Sequence, residues 1–407
     1  MIRIKTRAVP RLLAALLAAV VVSAGSTVAV ANAVPALPGL PPGPAADPFY
    51  AQPPSLTQYK MGDVVDSRPV ALRDIPARTN PTAWQVKYVS QDTNGKPWTT
   101  VATIIRPEGG AQLSKLLVFD PWIDALDTRC NPSYQLRAGA GFMAGTGMVS
   151  ELPDLIALLD RGYTMVVPDY LGPDNQFTAA YVEGRNTIDG ARAALNFAPA
   201  GLSPTTPVGM FGYSGGARGT EFAAELAPAY APELNLVGVV AIGIPVSLAN
   251  SGLHMNKSLF TGIDVSSAFG LGRAYPELDV PAMFTDPDLG DKIGSVCNAE
   301  AMATYAFADG RDMTVNRIWP LDEPKMAAVV ASIVAGKLGT PRAPLYLGVG
   351  ANDEVALPQD NDALAADYRR RGVDLTYEKF PVVNHPTSIG VAALPSMEWL
   401  AARLDHA

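Results

Sequence analysis

The sequence predicts an α/β fold: a mostly parallel central sheet of about eight strands, flanked by helices and interrupted by one long insertion. Three observations carry that expectation. Apolar runs of β type recur along the chain, helix-like stretches alternate with the later runs, and one long segment breaks the alternation.

In order, the runs are Trp84 to Ser90, Thr99 to Ile105, Lys115 to Phe119, Tyr163 to Pro168, Pro207 to Phe211, Leu236 to Ile242, Leu345 to Val349 and Leu375 to Phe380. Only the short polar turn Asp92 to Lys96 separates the first two, which suits an antiparallel hairpin. Between and after the later runs lie the helix-like stretches Leu152 to Arg161, Thr187 to Phe197, Ala217 to Leu226, Asp362 to Arg371 and Ser388 to Leu404. Strand and helix in alternation build a parallel sheet covered on both faces.

From Ser247 to about Thr340 no convincing strand occurs, whereas connections in α/β units usually take roughly 2–6 residues. An insertion at this point lies above the carboxyl ends of the strands, where such sheets place ligands. Residues 247–340 are therefore read as a mainly helical cap or lid, in preference to a decorative surface subdomain. Residues 49–246 and 341–407 form the core domain.

At the amino end, Arg3, Lys5, Arg7 and Arg11 precede the apolar run Leu12 to Val22, and Ala31-Asn32-Ala33 offers a small-residue cleavage site. That order predicts a secretory signal peptide over 1–33, since the apolar run is shorter than the roughly 20 residues of a membrane span. Residues 34–48, rich in Pro, Ala and Gly, read as an extended leader. Removal of the peptide would take the formal net charge from -8 to -12, an acidic balance that argues against nucleic acid as a partner. Any contact with lipid would be peripheral. The only two cysteines, Cys130 and Cys297, are expected to be bridged outside the cell rather than left as free buried thiols.

The most informative residues are Gly212-Tyr213-Ser214-Gly215-Gly216, which follow an apolar run and lead into a helix-like stretch. A strand, a sharp turn and a helix with one serine at the apex describe a nucleophile elbow, which lifts the serine hydroxyl out of the sheet. The α/β-hydrolase order then asks for an acid and a histidine, each just past a later strand. Asp353 follows the run ending near Gly350, and His385 follows the run ending at Phe380.

Each residue type has its own reason. A serine hydroxyl is a poor nucleophile until an imidazole accepts its proton, and a carboxylate fixes that imidazole's tautomer and stabilises the imidazolium. Histidine is scarce, and the alternatives His254 and His406 lie in the insertion and beside the carboxyl terminus. For the acid, Glu354, Asp360 and Asp169 remain open beside Asp353, which is nearest the strand end. The backbone N–H of Gly215 is one oxyanion-hole donor, and the second belongs to the loop Asp120 to Ala125, in which Asp124 is a candidate.

Two other patterns carry no chemistry. Gly139-Ala140-Gly141-Phe142-Met143-Ala144 matches a dinucleotide fingerprint but follows no strand, and is read as a loop. Asp286-Pro287-Asp288-Leu289-Gly290-Asp291 lacks calcium-loop spacing, and no His/Cys cluster offers a zinc site. No cofactor and no metal are expected.

Several segments together resemble the secretory lipase family of α/β-hydrolases, typified by yeast lipase A and common among exported actinobacterial enzymes. They are Asp47-Pro48-Phe49-Tyr50, Asp124-Ala125, Cys130-Asn131-Pro132-Ser133-Tyr134, Glu183-Gly184, Asp189-Gly190, the elbow, Tyr230-Ala231-Pro232-Glu233-Leu234-Asn235, Pro245-Val246-Ser247, Asp353-Glu354 and His385. The resemblance implies Ser214, Asp353 and His385 as the triad, Asp124 and Gly215 at the oxyanion hole, and a Cys130–Cys297 bridge between core and cap. It implies a secreted serine lipase or esterase acting on acylglycerol-type esters. It does not extend to the long segment that yeast members carry beyond the histidine. The alternatives are a short-chain carboxylesterase, a serine peptidase of the same fold, or a secreted binding protein without catalysis.

Overall fold

A computed structural model describes residues 39–109 and 114–407. The expected signal peptide over 1–33 lies outside the described residues. One nine-stranded sheet runs in the order β1-β2-β3-β5-β4-β6-β7-β8-β9. Its strands are β1 Val64–Val70, β2 Thr82–Gln91, β3 Pro97–Arg106, β4 Leu116–Asp120, β5 Thr164–Pro168, β6 Val208–Tyr213, β7 Leu236–Ile242, β8 Leu345–Gly350 and β9 Leu375–Phe380. Pairing is antiparallel from β1 through β3 to β5 and parallel from β5 through β4 to β9.

The eight expected runs are all strands, and the first two form the expected hairpin. The ninth strand, β1, carries little strand signal because Val-Val-Asp-Ser-Arg-Pro-Val is interrupted by polar residues and Pro69. It lies at the sheet edge, half-buried, where a residue without an N–H is tolerated.

The helices are α1 Pro132–Ala138, α2 Ala140–Met143, α3 Met148–Asp160, α4 Ala180–Asn196, α5 Gly215–Tyr230, α6 Leu248–Met255, α7 Thr261–Ala274, α8 Leu289–Gly294, α9 Asn298–Tyr305, α10 Pro324–Ser332, α11 Pro358–Arg370 and α12 His385–Asp405. Strands β4, β5, β6 and β8 are buried at every position because both faces are covered. Leu116 and Val118 of β4 join the core under α4, α5 and α11, whereas Leu117 and Phe119 join the core under α3 and α12. On that second side Phe119 stacks on Phe211, ring centres 5.7 Å apart. Truncating such a buried ring to alanine costs about 3–5 kcal/mol.

Two local readings are corrected. Gly139 to Ala144 is no loop: Gly139, at φ 92°, ends α1 and starts the single turn α2. Residues 44–48 of the expected leader are not extended either, because two 3-10 turns, Pro44–Ala46 and Pro48–Tyr50, bury Pro44 and Phe49. Asp47 anchors this stretch through Arg68 at 2.7 Å and Arg137 at 3.2 Å.

Residues 247–340, between β7 and β8, carry α6 to α10 and a single isolated bridge, Phe284 to Thr314. Their apolar side chains, Leu248, Phe260, Val265 and Leu271 among them, join the same core as α4 and α5 rather than forming a separate one. Cys130 and Cys297 form a disulfide that ties the start of α9 to the turn before α1, across a sequence separation of 167 residues. Closing a loop of that length stabilises a fold by about 5 kcal/mol in the chain-entropy account.

Candidate active site

Ser214 sits between the last residue of β6 and the first of α5, with φ 55° and ψ -118°. A left-handed φ on a residue with a side chain is strained, of order 1–3 kcal/mol, and persists only where its surroundings fix it. Here they do: the Ser214 N–H donates to the Ile242 carbonyl at 2.8 Å, and its own carbonyl accepts from Arg218 N–H at 3.2 Å. The flanking glycines serve close approach. A Cβ on Gly212 would stand 2.3 Å from the Gly216 carbonyl oxygen, and one on Gly216 would stand 1.8 Å from that of Asp120.

His385 is the first residue of α12, whose N-terminus is fixed by a capping box from Asn384 and Thr387. Its Nε2 lies 2.8 Å from Ser214 Oγ, and its Nδ1 lies 2.9 Å from each carboxyl oxygen of Asp353. The Asp353 carboxylate is held by the N–H groups of Val355 at 3.0 Å and Ala356 at 2.6 Å. Burial alone would lower the His385 pKa, but the charge and hydrogen bond of Asp353 outweigh it and raise the pKa above the ordinary value. Serine, imidazole and carboxylate, from three strand ends, thus share one buried line of hydrogen bonds.

The competing side chains sit elsewhere. Glu354 accepts from the backbone N–H of His385 at 3.0 Å and so secures the residue rather than its ring. Asp169 accepts from the N–H and hydroxyl of Ser133, and Asp360 from Asn250. His254 is exposed, its Nδ1 3.2 Å from the Asn250 carbonyl oxygen, and His406 is exposed at the chain end.

Asp124 lies against the nucleophile turn: a Cβ on Gly215 would stand 2.0 Å from its Oδ1. It is buried with φ 45°, and that Oδ1 has no hydrogen-bond partner among the described residues. Burial pushes its pKa up to about 7, opposed by His385. A carboxyl with such a pKa holds its proton in mildly acidic solution and can then donate a hydrogen bond.

These residues open into a cavity of about 190 Å³. Phe177, Leu248, Met255, Phe260, Ile263 and Met302 contribute to its apolar wall, four of them from α6, α7 or the loop between. Phe260 meets His385 edge to face with ring centres 6.4 Å apart, and Tyr213 stacks on it from the sheet. The sequence offered no signal for Phe260, because its place depends on how the insertion folds back. Arg218 did carry one: four residues after Ser214 on a helix, it shares the serine's face and lines the same cavity.

A mostly parallel sheet flanked by helices, with a strained serine at a strand-to-helix turn, is the α/β-hydrolase fold. The family described as secretory lipase matches residues 143–407. Lipase A of Arthroderma benhamiae is 33% identical over 382 residues, spanning 89% of this chain and 80% of that protein. A protein of Mycobacterium tuberculosis described as a probable inactive lipase is 33% identical over 371 residues, spanning 88% of this chain and 82% of that one. The X-ray structure of Candida antarctica lipase A in its closed state aligns with a TM-score of 0.83 at 27% identity, over 90% of this chain and 87% of that one. The chain belongs to the secretory lipase family and is a carboxylic ester hydrolase. Among the described residues no helix is long and apolar enough to cross a membrane.

Proposed function

We propose that this chain is an exported lipase that cleaves acylglycerol-type esters through an acyl-enzyme on Ser214. The observation that carries the reading is the Ser214–His385–Asp353 line, with contacts of 2.8 and 2.9 Å. Ser214 Oγ attacks the ester carbonyl carbon as its proton passes to His385 Nε2, while Asp353 holds Nδ1–H and stabilises the imidazolium. The carbonyl oxygen gains negative charge and meets the backbone N–H groups of Gly215 and Asp124. Collapse of this intermediate expels the alcohol, which takes the proton from His385. A water then repeats the sequence and frees the acid.

Residues 247–340 act as the cap whose apolar wall receives the acyl arm, and the Cys130–Cys297 bridge pins that cap to the core. Export follows from the basic and apolar pattern of residues 1–33, with cleavage near Ala33. A peripheral lipid contact is supported by Phe307, 70% exposed, whose N–H donates to the Ser258 carbonyl two residues from cavity-lining Phe260.

Ser214→Ala should lower kcat on p-nitrophenyl esters by a factor on the order of 10⁵–10⁶ with the fold intact. A fluorophosphonate probe should label Ser214 in the wild type. Unlabelled Ser214 would favour a binding protein without catalysis; the M. tuberculosis relative is described as a probable inactive lipase. A chain-length series of glycerol esters, beside peptide amides, separates lipase from short-chain esterase and peptidase.

A further inference from the structure

Asp264 does not fit the wall it belongs to. It stands in the first turn of α7 and lines the cavity that holds Ser214 and His385, amid Met255, Phe260, Ile263 and Met302. It is 1% exposed, and neither carboxyl oxygen has a hydrogen-bond partner among the described residues. A buried polar group left unpaired destabilises a fold, a cost that an apolar side chain there would avoid. Burial, reinforced by the charge of Asp322, holds the group in its acid form, which offers one O–H donor and acceptor oxygens.

The neighbouring helix packs a glycine against it. Leu248, Gly252 and Met255 are four and three residues apart on α6 and so share one face, and the two outer ones line the cavity. A Cβ on Gly252 would stand 3.0 and 3.1 Å from the two carboxyl oxygens of Asp264. Three residues along α7, Ser267 also lines the cavity, and its Oγ pairs with Thr178 Oγ1 at 2.8 Å. An acid and two hydroxyls therefore stand among the apolar side chains of this wall.

We infer that the Asp264 carboxyl is a specificity-determining contact for an oxygen function, a hydroxyl or keto group, carried by the acyl arm of the ester. This rests on the proposed reading of the cavity as the acyl site. A site built to pair a substrate oxygen discriminates against the analogue that lacks it, because the protein group is then left buried and unpaired.

The test compares kcat/KM for p-nitrophenyl esters of equal chain length, unsubstituted or bearing one hydroxyl or keto group at successive positions. In the wild type at least one oxygenated ester should outpace its plain counterpart by about tenfold. Asp264→Leu should bring that ratio near one, and Asp264→Asn, which keeps a donor and an acceptor, should retain most of it. A wild type that hydrolyses plain esters yet favours no oxygenated one overturns the inference and leaves the proposed ester hydrolysis standing, and this arm needs no variant to fold. A preference that survives in Asp264→Leu also overturns it. Absence of all ester hydrolysis in the wild type would overturn both readings.

Discussion

Tyr213 and His385 are stacked ring on ring, centres 5.2 Å apart and planes 23° from parallel, and the Tyr213 hydroxyl donates to the His385 carbonyl at 2.5 Å. The residue just before the nucleophile thus props the imidazole that activates it. Ser388 Oγ donates to the same carbonyl at 2.8 Å, so the hydroxyl and the ring of Tyr213 can be tested apart. Tyr213→Phe keeps the stack and leaves the carbonyl paired, and should cost about 1 kcal/mol with kcat little changed. Tyr213→Ala removes the support, and should cost about 3–5 kcal/mol and lower kcat by roughly 10²-fold as the imidazole loses its alignment. Thermal melts beside ester kinetics read both, and full kcat in Tyr213→Ala would remove the positioning role.

Much of this arrangement is legible in the sequence, for a physical reason. Strands buried on both faces leave long apolar runs, as in Leu116 to Phe119 and Leu236–Ile242, and Ser214 and Asp353 fall just past buried strands, while His385 follows the half-buried edge strand β9. Helix starts were harder. α4 begins at Ala180 rather than Thr187, because Gly184 weakens the helical pattern. That glycine is there for contact, since a Cβ on it would stand 2.7 Å from the backbone of Phe222 on α5. The roles of Phe260 and Asp264 had no sequence signal, because a segment without strands has no register to place its side chains.

Stability and activity should part with pH. Burial lifts Asp124 and Asp169 to about 7 and Asp189 to about 6, against an ordinary carboxylate value of 3.8. The folded chain then holds more protons than the unfolded one between these values, so stability falls as pH rises through about 4 to 7. His385 acts in the same sense: its folded pKa is raised, so its contribution is present below the unfolded value and lost as pH passes the folded one. Thermal unfolding at constant ionic strength should give a higher Tm at pH 5 than at pH 8, and a Tm that rises over this range would contradict the assignment. Ester hydrolysis needs neutral His385, so its rate should climb with pH over the range in which stability declines.

Arg218 is the third residue whose replacement separates roles. It is 1% exposed, and its guanidinium donates to Glu183 Oε2 at 3.0 Å, to the Thr178 carbonyl at 2.9 Å and to the Pro245 carbonyl at 3.2 Å. Thr178, held at φ 67°, and Pro245 both line the cavity, so one side chain on the nucleophile helix ties two walls of the site to it. Arg218→Ala leaves Glu183 buried without its counter-ion and should cost about 3–5 kcal/mol. Arg218→Met with Glu183→Gln leaves no unpaired charge and should recover much of that loss. It still leaves the Thr178 and Pro245 carbonyls without their shared donor, so the walls lose their register and KM should rise about tenfold with kcat less affected. If instead the double variant regains wild-type KM together with stability, the pair serves the fold alone, and the cavity walls are set by the packing of α6 and α7.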